Sequence, residues 1–308
     1  MTDITIQSLH IYPIKSCGAV DVKQAFVSAR GLTVGNIQDR SFMLVHSDGS
    51  FITQREAESL ARVRTSLPVG NNPQVAIINA EGMNSFALDP RNVSPDTITV
   101  QMHNKMRIID GQSQRTRETT RAHIMNGPGT EWFRNFLNMD DVLLVHQTET
   151  DMRYVNQDFA TQRTSDTVSL ADGYQILVTS MASLRGLNSQ LDGDRPMKRF
   201  RPNIVVDGVT SEKAENTWAE AVFGEVTLAG VKPCDRCKVT GIDQITGIYE
   251  GSDIISALSL TSRVNYVQGQ SPVRGVIFGE NFSPVGEGPI RVGDQVKIKI
   301  TKPMPVFL

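Results

Sequence analysis

The chain has 308 residues, which at roughly 150 residues per domain is enough for two domains, each with a core of its own. Lys and Arg total 31 against 33 for Asp and Glu, so the net charge is −2, and no long stretch of one sign occurs. This balance argues against nucleic acid or an anionic membrane as a partner, and no apolar run approaches the roughly 18 residues of a membrane-spanning helix.

The first part of the sequence is predicted to be almost entirely β. Short segments there alternate apolar and polar residues or form brief apolar runs, and turn signals such as Ser47-Asp48-Gly49-Ser50 separate them. No parallel βαβ rhythm runs through these segments, and their spacing is typical of an antiparallel barrel or sandwich. The predicted strands are residues 4–11, 25–28, 42–46, 74–78, 97–102, 106–109 and 142–146.

The middle of the chain predicts a helix followed by a loop. After the helix breakers Gly127-Pro128-Gly129, Thr130 can cap a helix whose apolar residues share one face, and we expect it to pack between two domains. Residues 153–167 are polar and follow neither period, so we expect a loop that runs over a cleft, with the linker ending near Asp166. The residues on the apolar helix face are Trp132, Phe133, Phe136 and Leu137.

A second β-rich block follows the loop. Residues 175–179 predict a strand that feeds a helix, which Thr179 or Ser180 can cap and which carries apolar Leu184, Leu187 and Leu191. Further strands are predicted at residues 203–206, 225–228, 238–242, 274–278 and 295–300.

Together these elements predict a fold that is mainly β with α. We expect two β-barrel-like domains, over residues 1–120 and 165–308, joined by a helical and loop connector over residues 121–164. The start of the chain lacks the basic and then apolar pattern of an export signal, and three cysteines cannot pair completely within one chain. These features favour a cytoplasmic protein.

The densest chemical signal is the pair Cys234 and Cys237, which lies among three cations that favour the thiolate form. A zinc site would need more ligands than Cys17 supplies, and from both domains, because all five histidines lie at or before position 146. A thioredoxin-like pair should open a helix, whereas this pair lies between two predicted strands. A surface turn with incidental thiols is a third interpretation. A Cys-His nucleophile would need a histidine from the other domain.

Two basic segments could bind an anion. Residues 198–204 place arginines, whose planar fork suits phosphate or carboxylate, at the entry of a predicted strand. Residues 12–18 combine a lysine, a hydroxyl and a glycine, although without the spacing of a P-loop. Each segment alone is better explained as a solvated turn. The same holds for three further polar sites, at Asp39-Arg40, Thr53-Gln54-Arg55 and Ala171-Asp172-Gly173-Tyr174.

The order of these motifs along the chain is more informative than any one of them. No dinucleotide-binding glycine fingerprint, serine nucleophile elbow or pair of carboxylates stands out, so hydrolase and dehydrogenase functions are unsupported. The succession instead resembles the MOSC-domain proteins with a MOSC N-terminal β-barrel domain, in the amidoxime-reducing component and YcbX-type branch. The segments that carry this resemblance over nearly the whole chain are YPIKSC, DRSFMLV, ADGY, FRPNIVVDG, PCDRCKVTGID and TGI.

The resemblance implies a molybdenum cofactor (Mo-molybdopterin) in a cleft between the domains, with Cys237 as the metal ligand. Thiolate is a soft ligand that suits such a metal. Asp172 would border the substrate face as a second catalytic residue. The cofactor-binding residues implied by the same matching are Lys15, Ser16, Arg40, Gly173, Tyr174, Arg201, Asn203, Asp235, Arg236 and Asn281. Asp235 departs from the family pattern, because relatives often carry serine there.

The function that the resemblance implies is reduction of N-hydroxylated compounds from N–OH to N–H, with the oxygen atom transferred to molybdenum. The alternative is a non-catalytic protein that binds the cofactor or carries sulfur, with a persulfide on Cys234. Three cysteines cannot hold a four-cysteine iron-sulfur cluster, so we expect a separate electron donor: a ferredoxin, flavodoxin or haem protein served by its reductase.

Overall fold

The computed structural model describes residues 3–68, 73–103, 105–148, 150–161 and 166–308. Parts of the predicted connector, residues 149 and 162–164, lie outside these described residues, as does residue 165 of the predicted loop. Within the described ranges no helix is long and apolar enough to cross a membrane. The secondary structure is mostly strand with three α-helices, which confirms the predicted class, mainly β with α.

The N-terminal part of the chain forms fourteen strands and one helix in the described residues. The helix, α1 (Gly129–Leu137), confirms the one predicted from the aromatic spacing, but Thr130 lies in its first turn and does not cap it. The strands are β1 (Thr5–Ile11), β2 (Val20–Val22), β3 (Gln24–Ser28), β4 (Gly31–Val34), β5 (Ile37–Gln38), β6 (Phe42–His46), β7 (Arg64–Ser66), β8 (Ala76–Asn79), β9 (Phe86–Leu88), β10 (Val93–Gln101), β11 (Lys105–Ile109), β12 (Gln112–Thr116), β13 (Thr119–Met125) and β14 (Val142–His146).

The C-terminal part adds eight strands and two helices. Ser180 caps the first helix as predicted, because its hydroxyl accepts a hydrogen bond from the Ser183 N–H at 3.1 Å. These elements are β15 (Ile176–Ser180), α2 (Met181–Asn188), β16 (Ile204–Asp207), β17 (Trp218–Phe223), β18 (Val226–Asp235), α3 (Asp253–Thr261), β19 (Arg263–Gln268), β20 (Ser271–Pro284), β21 (Gly288–Arg291) and β22 (Val296–Thr301).

The largest sheet has nine strands in the order β2-β1-β16-β15-β20-β18-β17-β22, with β19 paired to β20. Its pairs are antiparallel except β15 with β16, which run parallel around α2. This βαβ unit was not predicted. The smaller sheets contain β10-β13-β14-β6, β21-β3-β4-β5, β7-β8-β9 and β11-β12, and the strand orders among the described residues are open paths.

Strand pairing crosses the predicted domain boundaries in both directions. β1 pairs with β16, so the first strands of the chain belong to the C-terminal sheet. In return β21 pairs with β3. One buried apolar cluster correspondingly contains Ile6, Phe133, Val206 and Phe282. The boundaries 1–120, 121–164 and 165–308 stay predictions, and the two regions share strands and a core.

The helix α1 packs through an aromatic cluster. Trp132 and Phe133 lie against Phe86, with ring centroids 5.4 and 6.4 Å away, and the Trp132 indole N–H donates to the Asn84 carbonyl at 2.6 Å. Buried Phe133 makes the helix part of the main core. The indole hydrogen bond satisfies the one polar atom that this side chain buries.

One predicted strand is wrong. Residues 238–242 were expected to be extended, whereas Lys238–Gly241 form a 3-10 helix directly after Cys237. The Cys237 carbonyl accepts from the Thr240 N–H at 3.1 Å and from the Thr240 hydroxyl at 3.0 Å, so the chain turns there. The β-branched residues that suggested a strand are used in this turn instead.

Candidate functional site

A cleft of about 520 Å³ opens where loops of the N-terminal part meet the C-terminal sheet. All twelve predicted site residues line this cleft. They are spread along the sequence from Lys15 to Asn281. The other ten are Ser16, Arg40, Asp172, Gly173, Tyr174, Arg201, Asn203, Asp235, Arg236 and Cys237. The structure therefore brings the predicted site residues together, while their individual roles stay predictions.

Two arginines of the cleft share one aromatic ring. The guanidinium carbons of Arg40 and Arg201 lie 4.5 and 4.4 Å from the ring centroid of Tyr12. Arg40 also pairs with Asp39 at 2.5 Å and donates to the Arg201 carbonyl at 3.1 Å. Burial, with Arg40 nearby, lowers the pKa of Arg201 to about 10. The ring and Asp39 thus hold two partly buried cations side by side.

Three cleft residues adopt a left-handed backbone that non-glycine residues rarely take. Their φ angles are 71° at Ser16, 49° at Arg40 and 55° at Arg201. Such conformations cost about 1 to 3 kcal/mol each and persist only where the surrounding contacts fix them. Half of the six described non-glycine residues with positive φ line this cleft, so backbone strain is concentrated at the site.

Asn203 connects the cleft to the central sheet. Its side-chain oxygen accepts from the Leu177 N–H at 3.1 Å and from Arg40 at 3.2 Å, and its amide group donates to the His10 carbonyl at 3.2 Å. Asn281 similarly donates to the Lys232 carbonyl at 3.0 Å. Asn203 therefore holds both backbone and the Arg40 side chain, whereas Asn281 holds backbone alone.

Lys15 and Asp172 form an ion pair on the wall of the cleft, and Lys15 also donates to the Leu170 carbonyl at 2.9 Å. Burial lowers the pKa of Lys15, and Asp172 partly offsets this effect. Burial also opposes ionisation of Asp172, but Lys15 and His103 outweigh it and hold the pKa of Asp172 below its usual range. Asp172 is therefore a carboxylate at neutral pH.

Each thiol of the cysteine pair receives a hydrogen bond from an arginine. Arg55 donates to the Cys237 sulfur at 3.1 Å, and Arg236 donates to the Cys234 sulfur at 3.0 Å. Burial raises the pKa of the Cys234 thiol. Cys237 stands just before the 3-10 helix, at the end of the turn that leaves β18, which is not the start of an α-helix as in a thioredoxin-like pair.

The negative charge of Asp235 is compensated by a neighbouring lysine. Its carboxylate pairs with Lys232 at 3.0 Å. Burial alone would raise the pKa of Asp235, but Lys232 outweighs burial and keeps this pKa low.

No group of three or more Cys, His, Asp or Glu side chains suited to a metal ion occurs in the part of the chain that is described. The zinc interpretation therefore finds no ligand set there.

Sequence reasoning missed two residues of the site and undervalued a third. Arg153 was included in a polar loop, yet its buried guanidinium donates to the carbonyls of Ser169, Ala171 and Asp172 at 2.6 to 2.9 Å, which fixes the loop that carries Asp172. His103 lines the cleft just after β10 and belongs to no motif. Arg55 was interpreted as part of a surface loop.

The lining of the cleft is strongly cationic. Its described side chains include two carboxylates and seven cations, in a chain whose net charge is −2. Arg236 Nε is, moreover, a buried polar atom with no hydrogen-bond partner. This donor set suits a ligand that carries phosphate and offers acceptors to arginine. The seven cations are Lys15, Arg40, Arg55, Arg201, Lys232, Arg236 and Arg274.

Comparison with known proteins identifies the family of the chain. Residues 3–140 match the MOSC N-terminal beta barrel domain, and residues 165–297 match the MOSC domain. The chain therefore belongs to the MOSC-domain proteins that carry this N-terminal domain, in the branch of the amidoxime-reducing components.

The curated relatives are named amidoxime-reducing components. Mitochondrial amidoxime reducing component 2 from Homo sapiens is 31% identical over 95% of this chain and 82% of its own length. The corresponding protein from Macaca fascicularis is also 31% identical, over the same shares. Component 1 from Mus musculus is 29% identical over 95% of this chain and 81% of its own. Because these names place the relatives in mitochondria, the cytoplasmic location stays a prediction.

Solved structures add nothing further. YiiM from Geobacillus stearothermophilus matches 42% of this chain and 55% of its own at 15% identity, with a TM-score of 0.28. The YUAD protein from Bacillus subtilis covers 65% of this chain and 96% of its own at 12% identity and a TM-score of 0.32. These similarities are too weak to carry an argument.

Proposed function

We propose that the protein is a molybdenum-cofactor-dependent reductase that converts N-hydroxylated compounds from N–OH to N–H. The observation that carries the proposal is a cysteine in the lining of the cationic cleft: Cys237 presents a soft sulfur in a wall that contains seven cations. The names of the relatives support the same activity.

The residues present fit the cofactor. Cys237 would bind the metal through sulfur, and Arg55, which donates to that sulfur, would keep it oriented. Arg40 and Arg201 would hold the pterin and its phosphate, with the unpartnered Nε of Arg236 available as a further donor. When bound, the cofactor supplies the two electrons that cleave the N–O bond.

The remaining cleft residues would bind substrate on the open side. Asp172 gives this wall a carboxylate that its ion pair with the cofactor-binding Lys15 keeps in place, and this carboxylate can orient the polar N-hydroxyl group. Met106, Phe159 and Pro272 offer apolar surface for the body of the compound. The cleft thus combines a reducing centre with a polar wall and an apolar wall.

Metal content and turnover of matched cysteine variants test the proposal. Cys237→Ser should lose both molybdenum and reduction of benzamidoxime by reduced viologen, because a hydroxyl poorly replaces a soft thiolate. Cys234→Ser, the control at the end of β18, should keep both its molybdenum and its turnover. Loss of both properties in Cys234→Ser alone would contradict the ligand assignment.

The wild-type protein separates the catalytic proposal from the carrier alternative in the same assay. Wild-type protein that binds molybdenum but never reduces benzamidoxime would point to cofactor binding or sulfur transfer, with Cys234 as the thiol to examine for a persulfide. Steady turnover would exclude a purely carrying role. Protein free of molybdenum would overturn the proposed function.

A further inference from the structure

Reduction of an N-hydroxyl group consumes protons, so the cleft needs a group that supplies them. Among the described side chains that line it, His103 is the one imidazole, the side chain whose ordinary pKa lies closest to neutrality. Asp172 is held ionised, and burial raises the pKa of Tyr174 far above neutrality. Neither of these two groups is therefore suited to give up a proton and regain it during turnover at neutral pH.

His103 is connected to the predicted metal ligand through a single side chain. Arg55 donates to His103 Nε2 at 2.7 Å through one terminal nitrogen and to the Cys237 sulfur at 3.1 Å through the other. His103 Nε2 also lies 3.3 Å from the Asp172 carboxylate, and the ring of Phe51 packs edge-on at 4.6 Å. The imidazole is thus fixed one guanidinium away from the sulfur.

We propose that His103 is the proton donor of this site and protonates the oxygen that leaves the N-hydroxylated substrate. The inference rests on the proposed function, and it assigns a role that the sequence motifs do not reach. It follows from the position of the imidazole between Arg55 and Asp172 on the open wall of the cleft.

The reaction balances with two protons and two electrons. An amidoxime, RC(NH2)=N–OH, becomes the amidine RC(NH2)=NH and water. The N–O bond breaks with its electron pair on oxygen, which takes one proton from His103 and leaves as water; this release replaces the transfer of oxygen to molybdenum that the family resemblance implies. Nitrogen receives the second proton from solvent and two electrons, which the bound cofactor would supply after taking them up from two equivalents of the one-electron donor. His103 then regains its proton from solvent.

One ring nitrogen of His103 faces both a donor and a carboxylate. Neutral imidazole accepts from Arg55 through Nε2, and when that nitrogen carries a proton, the Asp172 carboxylate 3.3 Å away can form an ion pair with the imidazolium. Burial lowers the pKa of His103, and the charges that face it divide: Asp172 and Asp235 raise it, whereas Lys15 and Arg55 lower it. A lowered pKa makes the imidazolium a readier donor.

Three variants test the assignment, with reduced viologen as the donor and benzamidoxime as the substrate. In wild-type protein kcat should rise as the pH falls through the pKa of His103. His103→Gln keeps an acceptor for Arg55, and it should lower kcat about a hundredfold, lose this pH dependence and keep its molybdenum. His46→Gln, a control on β6 away from the cleft, should behave as wild type.

Two further measurements separate proton donation from a structural role. Added imidazole should restore part of the kcat of His103→Ala, which a merely structural defect would not allow. In the resting holoprotein, the NMR signal that His103→Gln removes should titrate with a midpoint below that of free histidine and match the kcat profile.

Two results would overturn the assignment. An unchanged pH profile in His103→Gln would exclude His103 as the donor while leaving the reductase proposal intact. A wild-type protein without benzamidoxime turnover would overturn both proposals.

Discussion

Arg40 and Arg201 lie 161 residues apart in the chain, yet both guanidinium groups contact the ring of one residue, Tyr12, and Arg40 donates to the Arg201 carbonyl. Two like charges buried this closely are costly unless an opposite charge compensates them. Asp39 supplies one carboxylate, and a bound phosphate would supply more. The arrangement is therefore prepared for an anion.

Arg201→Ala should lower the affinity for the cofactor by about ten- to a hundredfold, because a hydrogen bond to a charged group contributes about 1.5 to 3 kcal/mol. Lys15→Ala should lower it further in the double variant. Molybdenum per protein after dialysis measures both effects. The exposed Lys297→Ala on β22 serves as the charge-matched control, and full occupancy in the double variant would contradict an anion site.

Two substitutions of Tyr12 should separate its ring from its hydroxyl. Tyr12→Phe keeps the ring under both arginines and loses the hydrogen bond to the Pro202 carbonyl at 3.1 Å, so stability should fall by about 1 kcal/mol with little change in molybdenum content. Tyr12→Leu should also lose cofactor, because the cation–π contacts of about 0.5 to 2 kcal/mol each disappear. Equal molybdenum content in the two variants would argue against the ring as a platform.

The protein should need an external one-electron donor. The described structure shows no strand–glycine loop–helix unit for a pyridine nucleotide, and three cysteines cannot ligate a four-cysteine cluster. NADH or NADPH alone should therefore give no benzamidoxime reduction, whereas reduced viologen, or a ferredoxin with its reductase, should. Turnover with a pyridine nucleotide in a reductase-free preparation would refute this expectation.

Acid should destabilise the fold through His146. Burial lowers the pKa of this histidine from 6.5 to about 4, so below pH 6.5 the unfolded chain binds a proton that the folded chain does not. The free energy of unfolding should fall as the pH drops from 6.5 to 4, by up to about 3 kcal/mol from this group.

Urea unfolding at several pH values, compared with His146→Phe, checks this expectation. Phenylalanine can keep the stacking on Phe42, and the Ser41 carbonyl retains the Gln147 N–H as a donor. The acid-dependent loss of stability should therefore shrink in the variant. An identical pH dependence in both proteins would assign the effect to other groups.

How far the sequence predicts this molecule depends on the range of the interaction. The strand at Phe42–His46 and the helix with Trp132 are set by local periodicity, and both were predicted closely. Arg55 was visible as a polar residue, but its partner Cys237 lies 182 residues away, so no local pattern could move it from a loop into the cleft. His103 belonged to no motif, and only the tertiary fold gave it neighbours.

The error after Cys237 has a related cause. The β-branched and apolar residues at 238–242 satisfy a strand pattern, but a strand also needs a neighbour to pair with. β18 pairs with β17 up to Ala229 and with β20 up to Asp235, and the chain then turns on the Cys237 carbonyl. Residue propensity indicates whether a segment can form a strand, but it does not show whether a neighbouring strand is free to pair with it.

The exchange of strands between the two halves has a consequence for folding. If residues 1–140 were produced alone, β3 would lack its neighbour β21, and β1 would present an unpaired edge in place of β16. The other half would lose two edge strands of its largest sheet. We expect one cooperative unfolding transition for the whole chain and aggregation of either fragment. In this chain neither half is therefore expected to be a self-contained folding unit.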